Sequence, residues 1–252
     1  KEYAAANDVL YKRCEDESTV ILVTQGNENK ITEIGDTCYE IRFKDCDILA
    51  IDLSLSSLAH AKRKTEELGI SNIEYMQADI LNLKALNRKF DIVESIGVLH
   101  CLDDPMAGWK VLTDCLNTRG LMQIGLYSEL ARKHIVQIRD EIEQSNIESS
   151  YDAMKLFRNK IISSEEEHHK KVVSSFDFYS MSALRDLLFH VQEHRFTIPQ
   201  IEASLTQLGL VFCGFENMDF VEGNCDLEKW DTFEKENPKT FSGMYQFWCQ
   251  KV

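Results

Sequence analysis

The fold is decided by the stretch Asp47-Ile48-Leu49-Ala50-Ile51-Asp52-Leu53-Ser54. Its four consecutive apolar residues between two acids predict a strand that is buried on both faces. Ser54 suits the N-cap of a helix that extends to about Leu68, with Gly69 just past its C-terminus. Asp52 then ends a parallel strand at the edge where open α/β sheets bind ligands, and its carboxylate can accept hydrogen bonds from both hydroxyls of a ribose. A solvated acid that merely ends a strand is the alternative.

Strands and helices continue to alternate on both sides of this stretch. Further strands are predicted at 19–24, 73–77, 90–96, 121–127, 211–215 and 244–249. Helices are predicted at 1–17, 31–43, 105–116 and 199–208, and a turn at 117–120. Between 128 and about 198 the alternation stops. Apolar residues at helical spacing there predict two amphipathic helices, followed by a charged run and a third helix at about 182–191.

The composition excludes several classes of protein. A formal net charge of -14 over 252 residues disfavours binding to nucleic acid, whose phosphates it would repel. The eight cysteines form no Cys-x-x-Cys pair, which favours a reduced, cytoplasmic protein over a disulfide or zinc scaffold. No apolar run is long enough for a membrane span, and no signal peptide is visible.

In order and spacing, the motifs from Asp47 to Tyr127 resemble those of class I S-adenosylmethionine-dependent methyltransferases. These motifs are Ile-Asp-Leu-Ser at 51–54, Gln-Ala-Asp-Ile at 77–80, Phe-Asp-Ile-Val at 90–93, Gly-Val-Leu-His-Cys-Leu-Asp-Asp-Pro at 97–105 and Arg-Gly-Leu-Met at 119–122. The last two predicted strands are similar to the antiparallel pair that ends this family's sheet. Residues 184–196 resemble a bacterial subgroup that is often fused to tetratricopeptide repeats, although this sequence contains no such repeat.

The resemblance implies an α/β, Rossmann-like fold with a mostly parallel seven-stranded sheet, an antiparallel last strand and a helical lid insertion. Four regions follow from it. Residues 1–18 form an N-terminal helical segment and 19–127 the cofactor-binding core. Residues 128–198 form the helical lid, which binds the acceptor, and 199–252 complete the sheet.

The same resemblance implies S-adenosylmethionine as the cofactor. Asp52 would bind the ribose hydroxyls and Leu53 would pack on the adenine, while Asp79 would accept the adenine amino group and Ile80 would lie against the ring. The remaining cofactor-binding residues are Ala78 beside Asp79, Ser95, Ile96 and Gly97 beside the methionine moiety, and Gly26. For Asp79, the N-cap of a following helix is the alternative.

Gly26 belongs to the one motif that departs from the family. The family has a glycine-rich turn after its first strand, about 20 residues before the acid. Here the loop Thr24-Gln25-Gly26-Asn27-Glu28 has a single glycine, 26 residues before Asp52. Three explanations remain: a divergent but functional loop, residues missing from the sequence at this point, or a protein that has lost cofactor binding.

Methyl transfer requires little of protein side chains beyond alignment of the reactants and exclusion of water. If the acceptor carries a proton at neutral pH, a general base is needed, and His100 is the first candidate. Tyr127, at the end of the fifth predicted strand, is a second candidate catalytic residue. The alternatives are a loop histidine bonded to backbone and a core tyrosine.

Three residues spaced i, i+3 and i+4 are predicted to share a helical face: His190, Glu193 and His194. Although His-x-x-Glu-His matches a zinc-protease motif, the third ligand and the matching fold are absent, so no metal is expected. These residues and Arg185 are predicted to bind the acceptor, with a solvent-facing role as the alternative.

The sequence thus predicts methyl transfer from S-adenosylmethionine to a small-molecule or side-chain acceptor that the helical lid positions. The expected partners exclude nucleic acid and membranes. One alternative is a non-catalytic or sensor-like protein on the same fold. The other is a nicotinamide-dependent oxidoreductase, which the absence of Gly-x-Gly-x-x-Gly disfavours.

Overall fold

The structure is a computed structural model that describes residues 19–23, 46–189, 192–216 and 225–252. Its strands are β1 (Thr19–Val23), β2 (Asp47–Asp52), β3 (Ile73–Gln77), β4 (Phe90–Ile96), β5 (Leu116–Tyr127), β6 (Leu210–Phe215) and β7 (Met244–Lys251). Its α-helices are α1 (Leu55–Glu67), α2 (Pro105–Cys115), α3 (Lys133–Gln144), α4 (Tyr151–Ile162), α5 (Glu167–Val173), α6 (Met181–Leu188), α7 (Ile198–Leu208) and α8 (Leu227–Glu236). The helices predicted at 1–17 and 31–43 lie outside the described residues.

Across the described residues, one sheet contains seven strands in the order β3-β2-β1-β4-β5-β7-β6. Neighbouring strands from β3 to β5 pair in parallel, whereas β7 is antiparallel to both β5 and β6. The predicted fold, including the antiparallel last strand, is therefore confirmed. The strand order reverses at β1 and β4, the place where open α/β sheets form their ligand crevice.

The residues predicted to begin and end α1 are also confirmed. Ser54 is its N-cap, and the Ser54 hydroxyl accepts a hydrogen bond from the Ser57 amide at 3.2 Å. Gly69 follows the C-cap with a φ of 77°, a left-handed conformation that glycine adopts without steric cost. These two local signals fix where the chain leaves β2 and where it turns back towards β3.

The turn predicted at 117–120 is wrong, because these residues lie inside β5. Leu116 pairs with Phe90 and Leu121 with Ile92, so the extra residues of β5 form an irregular bulge in the ladder. Arg119 takes a φ of 63° there. The turn-forming residue types thus mark a bulge rather than a chain reversal.

The helical lid contains α3 to α6, of which α3 and α4 are the two predicted amphipathic helices. The charged run forms a further helix, α5, and the predicted third helix ends earlier than expected, at Leu188. The lid helices bury an apolar cluster of their own, made of Ile135, Ile138, Ile142, Phe157, Ile161, Val172, Phe178, Leu184, Leu187 and Leu188. The lid therefore has a hydrophobic core apart from that of the sheet.

The main core lies against the sheet and is rich in aromatic side chains. Trp109 and Trp230, from α2 and α8, and Tyr245 and Phe247, from β7, are each 0% exposed. Helix α8 was not predicted from sequence, although Leu227 and Trp230 are spaced for one helical face. Within the described ranges, no helix has the length and apolar character that a membrane crossing needs.

Candidate active site

The carboxyl ends of β2 and β3 are tied together at one edge of the sheet. Asp52 pairs with Gln77 in the parallel ladder. Beyond that pair, the Ala78 amide donates to the Asp52 carbonyl at 3.2 Å, and Gln77 Nε2 donates to the Leu53 carbonyl at 2.9 Å. The segments that carry Asp52 and Asp79 are therefore held side by side.

Asp52 is buried, with 1% of its surface exposed, at the end of β2. Its Oδ1 accepts a hydrogen bond from the Ser54 amide at 2.7 Å, which fixes the orientation of the carboxylate. A buried carboxylate needs such donors because burial removes its water. Leu53, the next residue, is 54% exposed and presents an apolar surface beside it.

Asp79 is the N-cap of the 3₁₀-helix Ile80–Leu86. This is the alternative role that the sequence offered for Asp79 beside adenine binding. Its Oδ1 accepts a hydrogen bond from the Leu81 amide at 2.9 Å. Ile80 is 4% exposed and packs in the main core, whereas Leu81 is 46% exposed. Leu81, which sequence reasoning missed, thus offers more apolar surface to a ligand than Ile80 does.

Beyond β4 the chain changes direction at Gly97. Its φ of 75° favours glycine, and its amide donates to the Gly125 carbonyl of β5 at 3.1 Å. Ser95 is fully buried and Ile96 is half-buried at the end of the strand. Ser95 pairs with Val23, so the ends of β1 and β4 lie next to each other, whereas Gly26 and its loop lie outside the described residues.

His100 and Tyr127 stack on each other at this edge. Their ring centroids are 3.7 Å apart with 26° between the ring planes, and His100 is 1% exposed. The guanidinium of Arg132 also lies over the Tyr127 ring, with its Cζ 3.7 Å from the centroid of that ring. The two predicted catalytic residues are therefore brought together, and an arginine at the start of α3 joins them.

Burial raises the pKa of the Tyr127 hydroxyl, although the positive charge of Arg132 lowers it. The pKa therefore lies above its ordinary value of 10.0, and the phenol is protonated at neutral pH. In this state the hydroxyl can donate a hydrogen bond but cannot serve as a base. Of the two stacked side chains, only the imidazole of His100 carries a ring nitrogen whose lone pair can accept a proton.

Glu193 lies among three arginines, Arg132, Arg139 and Arg195. We call these four residues the Glu193 cluster. Arg132 binds the carboxylate through two hydrogen bonds, Nε to Oε1 at 2.9 Å and Nη2 to Oε2 at 2.7 Å. Arg139 Nη2 is 2.9 Å from Oε2, and Arg195 Nη1 is 3.7 Å from Oε1. The Glu193 side chain is only 3% exposed, so this is a buried ionic network rather than a surface ion pair.

The predicted helical face of His190, Glu193 and His194 is wrong. Helix α6 ends at Leu188, and Glu193 and His194 lie in a segment that belongs to no helix or strand and whose backbone bonds to other parts of the chain. The His194 amide donates to the His100 carbonyl at 2.8 Å, which places this segment directly against the candidate catalytic residue. His190 lies outside the described residues.

Arg185 is exposed, and its Nη2 donates to the Ser149 carbonyl at 3.0 Å, before α4, rather than to Glu193. Sequence reasoning missed Arg132 and Arg139, which it could have noticed as basic residues in an apolar stripe. They are seven residues apart and share a helical face with Ile135 and Ile142. That pattern indicates arginines that need a buried partner.

A second buried polar group stands behind Tyr127. The Ser128 hydroxyl donates to Glu234 Oε1 at 3.0 Å, and the Tyr245 hydroxyl lies 2.8 Å from both oxygens of the same carboxylate. Burial raises the pKa of Glu234, although the hydrogen bonds from Tyr245 and Ser128 lower it. This group connects β5, β7 and α8 where the chain enters the helical lid.

The chain has detectable similarity to methyltransferases. Residues 34–120 match the family model described as a methyltransferase domain. An uncharacterised protein of Synechococcus sp. is 26% identical over 181 residues, which cover 69% of this chain and 43% of that protein. The matched range of the family model begins beyond the Thr24–Glu28 loop, so it does not bear on the role of Gly26.

Solved structures share the fold at low sequence identity. PKMT2 from Rickettsia typhi in complex with AdoHcy has a TM-score of 0.69 at 15% identity, over 98% of this chain and 52% of that one. The plantazolicin methyltransferase BamL, in complex with a triazolic desmethylPZN analog and SAH, has a TM-score of 0.52 at 12% identity, over 99% and 84%. AdoHcy and SAH both denote S-adenosylhomocysteine, the product that S-adenosylmethionine leaves after methyl transfer. The chain spans about half the length of the Rickettsia protein and less than half of the Synechococcus relative.

Proposed function

We propose that this chain, which carries a methyltransferase domain on the class I methyltransferase fold, transfers a methyl group from S-adenosylmethionine to a small-molecule or side-chain acceptor. One observation carries the proposal. The two acids expected to bind adenosine and the stacked pair of candidate catalytic residues lie at the carboxyl ends of the parallel strands β2 to β5. Acids, exposed apolar side chains and a bare glycine at that edge suit an adenosine group.

On the cofactor side, Asp52 would accept hydrogen bonds from the ribose hydroxyls, with its carboxylate oriented by the Ser54 amide. Leu53 and Leu81, both exposed, would cover the two faces of the adenine, and Asp79 would accept from its amino group. Gly97 would let the backbone approach the methionine moiety closely, because it has no Cβ. When bound, the sulfonium supplies both the methyl group and the leaving group.

On the acceptor side, the chain aligns the acceptor for in-line attack and excludes water. The protonated Tyr127 hydroxyl would donate a hydrogen bond to the acceptor. If the attacking group of the acceptor carries a proton that it must lose, His100 would take that proton. Glu193 would act through Arg132, which it holds against the ring of Tyr127. Glu193 and Arg132 are therefore positioning residues, and the helical lid that carries Arg132 would select the acceptor.

The proposal is tested by transfer of a labelled methyl group from S-adenosylmethionine to a panel of small molecules and peptides. We expect at least one acceptor to be labelled. Replacement of Tyr127 by Phe keeps both stacked neighbours and removes one hydrogen bond, so transfer should slow by about 10-fold to 100-fold. The affinity for S-adenosylhomocysteine should stay unchanged. Equal transfer rates in Tyr127→Phe and the parent would contradict the role of the hydroxyl.

The result also separates the proposal from a non-catalytic protein on the same fold. Binding of S-adenosylhomocysteine without labelling of any acceptor would favour the sensor-like alternative. A second variant, His100→Gln, removes the proposed base. Its transfer rate should fall and become insensitive to pH, whereas an unchanged pH profile would remove His100 from the reaction.

A further inference from the structure

A group of metal-ligating side chains lies in the helical lid, outside the candidate active site. Glu141 on α3 and two consecutive histidines on α5, His168 and His169, place three possible ligand atoms within 4.8 Å of one another. Glu141 Oε1 is 2.5 Å from His168 Nε2 and 3.1 Å from His169 Nε2. Both imidazoles therefore direct the same ring nitrogen at one carboxylate.

The group is partly sheltered from water. The His169 side chain is 3% exposed, that of His168 19% and that of Glu141 31%. Burial on this scale keeps the three side chains in place, whereas ligands on a solvated surface would have to be ordered by the ion. A preformed group of ligands loses less conformational entropy when an ion binds.

The orientation of His169 is fixed from the opposite side of its ring. His169 Nδ1 lies 2.7 Å from the Ser164 hydroxyl on the segment between α4 and α5. A hydroxyl can either donate or accept, so the Ser164 oxygen can accept a hydrogen bond from Nδ1–H, the tautomer that leaves the lone pair on Nε2. Metal-binding histidines characteristically have such a partner on the second ring nitrogen.

We propose that Glu141, His168 and His169 bind a divalent transition-metal ion of the Zn²⁺ type. Two imidazoles and one carboxylate are ligands that Zn²⁺ and its neighbours in the first row prefer, whereas Mg²⁺ and Ca²⁺ prefer all-oxygen sites. Three protein ligands leave a fourth position for water. The absence of any cysteine from the set distinguishes it from thiolate sites.

Such an ion would cross-link α3 to α5 within the lid. Helix α3 follows Arg132 and contains Arg139, two members of the Glu193 cluster, so the ion would stiffen the helix that supports the proposed acceptor side. Because the ion binds the folded lid, it should raise the midpoint of thermal unfolding by an amount that grows with the logarithm of the ion concentration divided by Kd. This proposal stands independently of methyl transfer.

The test is calorimetric titration of the chelator-treated 252-residue chain with ZnCl₂, in parallel with His168→Asn and Ser164→Ala. The parent should bind one equivalent of Zn²⁺, and His168→Asn should bind none or bind it more than 10-fold more weakly. The His168 side chain is half-buried and lies outside the apolar cluster of the lid, so its replacement should leave the fold intact. Ser164→Ala, which changes no ligand, should weaken binding by about 10-fold to 100-fold. As a matched control, His60→Asn on α1 should bind as the parent does.

Co²⁺ substituted for Zn²⁺ identifies the ligands. We expect absorption bands of a site with nitrogen and oxygen ligands and no thiolate charge-transfer band. A thiolate band, no binding by the parent, or equal affinity in the parent and His168→Asn would each overturn the proposal. In those cases the group is an ordinary imidazole–carboxylate hydrogen-bond network. Circular dichroism of each variant verifies that it is folded, and Glu141→Gln, with a side chain of matching shape, replaces His168→Asn if that variant unfolds.

Discussion

At the scale of single residues, Asp52 shows what the sequence could predict. Its place after four apolar residues predicted the end of a buried parallel strand, and the structure has it there. The Ser54 amide that orients its carboxylate follows from the same local turn into α1. Local sequence was sufficient because strand, acid and helix cap are consecutive in the chain.

Replacing Asp52 by Ala should weaken binding of S-adenosylhomocysteine by about 1–3 kcal/mol, the free energy of hydrogen bonds to a charged acceptor. Isothermal titration calorimetry of parent and variant measures the difference. Asp47→Ala is the matched control, since Asp47 is an exposed acid at the other end of the same strand. Equal affinity in Asp52→Ala and the parent would show that Asp52 does not bind the ribose.

Glu193 is a residue whose surroundings the sequence could not predict. Its partner Arg132 is 61 residues away, and the helix expected to carry Glu193 ends before it. Only the tertiary fold brings the carboxylate between the guanidinium groups of Arg132 and Arg139, at α3, and that of Arg195, in the segment before α7. A buried charge of this kind needs its partners, because each would otherwise be desolvated without compensation.

Replacing Glu193 by Gln should lower the free energy of unfolding by about 3 kcal/mol, because it leaves buried guanidinium groups without a counter-charge. Denaturant unfolding monitored by fluorescence gives the value. Glu165→Gln provides the comparison, since the Glu165 side chain is 91% exposed and its loss should change stability by less than about 0.5 kcal/mol. If the two variants were equally stable, the Glu193 cluster would contribute nothing to the fold.

At the scale of elements, strand and helix order could be predicted, whereas the details that shape the site could not. The alternation of apolar runs located all seven strands of the described chain, and Pro105 and Gly69 marked helix ends correctly. The bulge in β5, the helix α5 and the end of α6 were predicted wrongly or missed. Each depends on pairing with a distant strand or on packing within the lid rather than on local residue preference.

The group behind Tyr127 predicts a dependence of stability on pH. Glu234 faces Tyr245 of β7 and Ser128 after β5, with Asp231 and Lys235 on its own helix. Burial, the largest influence, raises its pKa above 4.5, so the folded chain holds this proton more tightly than the unfolded chain does. The contribution of this group to stability is therefore present at low pH and is lost as the pH rises from about 4.5 through its folded pKa.

Glu234→Gln removes the ionisable group and keeps one acceptor oxygen for Tyr245. The variant should gain stability relative to the parent as the pH rises from 4.5 to 7, which denaturant unfolding at several pH values measures. Glu236→Gln, at an exposed position of the same helix, should differ from the parent by a constant amount. A constant difference for Glu234→Gln as well would mean that its pKa is not raised by folding.

At the scale of the whole molecule, the sheet and the helical lid are packed around separate hydrophobic cores. The sheet and its core hold the candidate cofactor edge, and the lid has a hydrophobic core of its own. The two meet at Tyr127 and Ser128, where Phe196 pairs with the chain as it leaves β5. Because the lid is stabilised separately, substitutions on its surface should leave the strand ends of the sheet unperturbed.

The most direct test of this account is calorimetric titration of the purified 252-residue chain with S-adenosylhomocysteine, with NADH as the control ligand. We expect binding of S-adenosylhomocysteine at one site per chain and no binding of NADH. Binding of NADH alone would instead support a nicotinamide-dependent oxidoreductase. If the folded chain released no heat and gained no thermal stability with S-adenosylhomocysteine, the proposed cofactor site, and with it the proposed methyl transfer, would be contradicted.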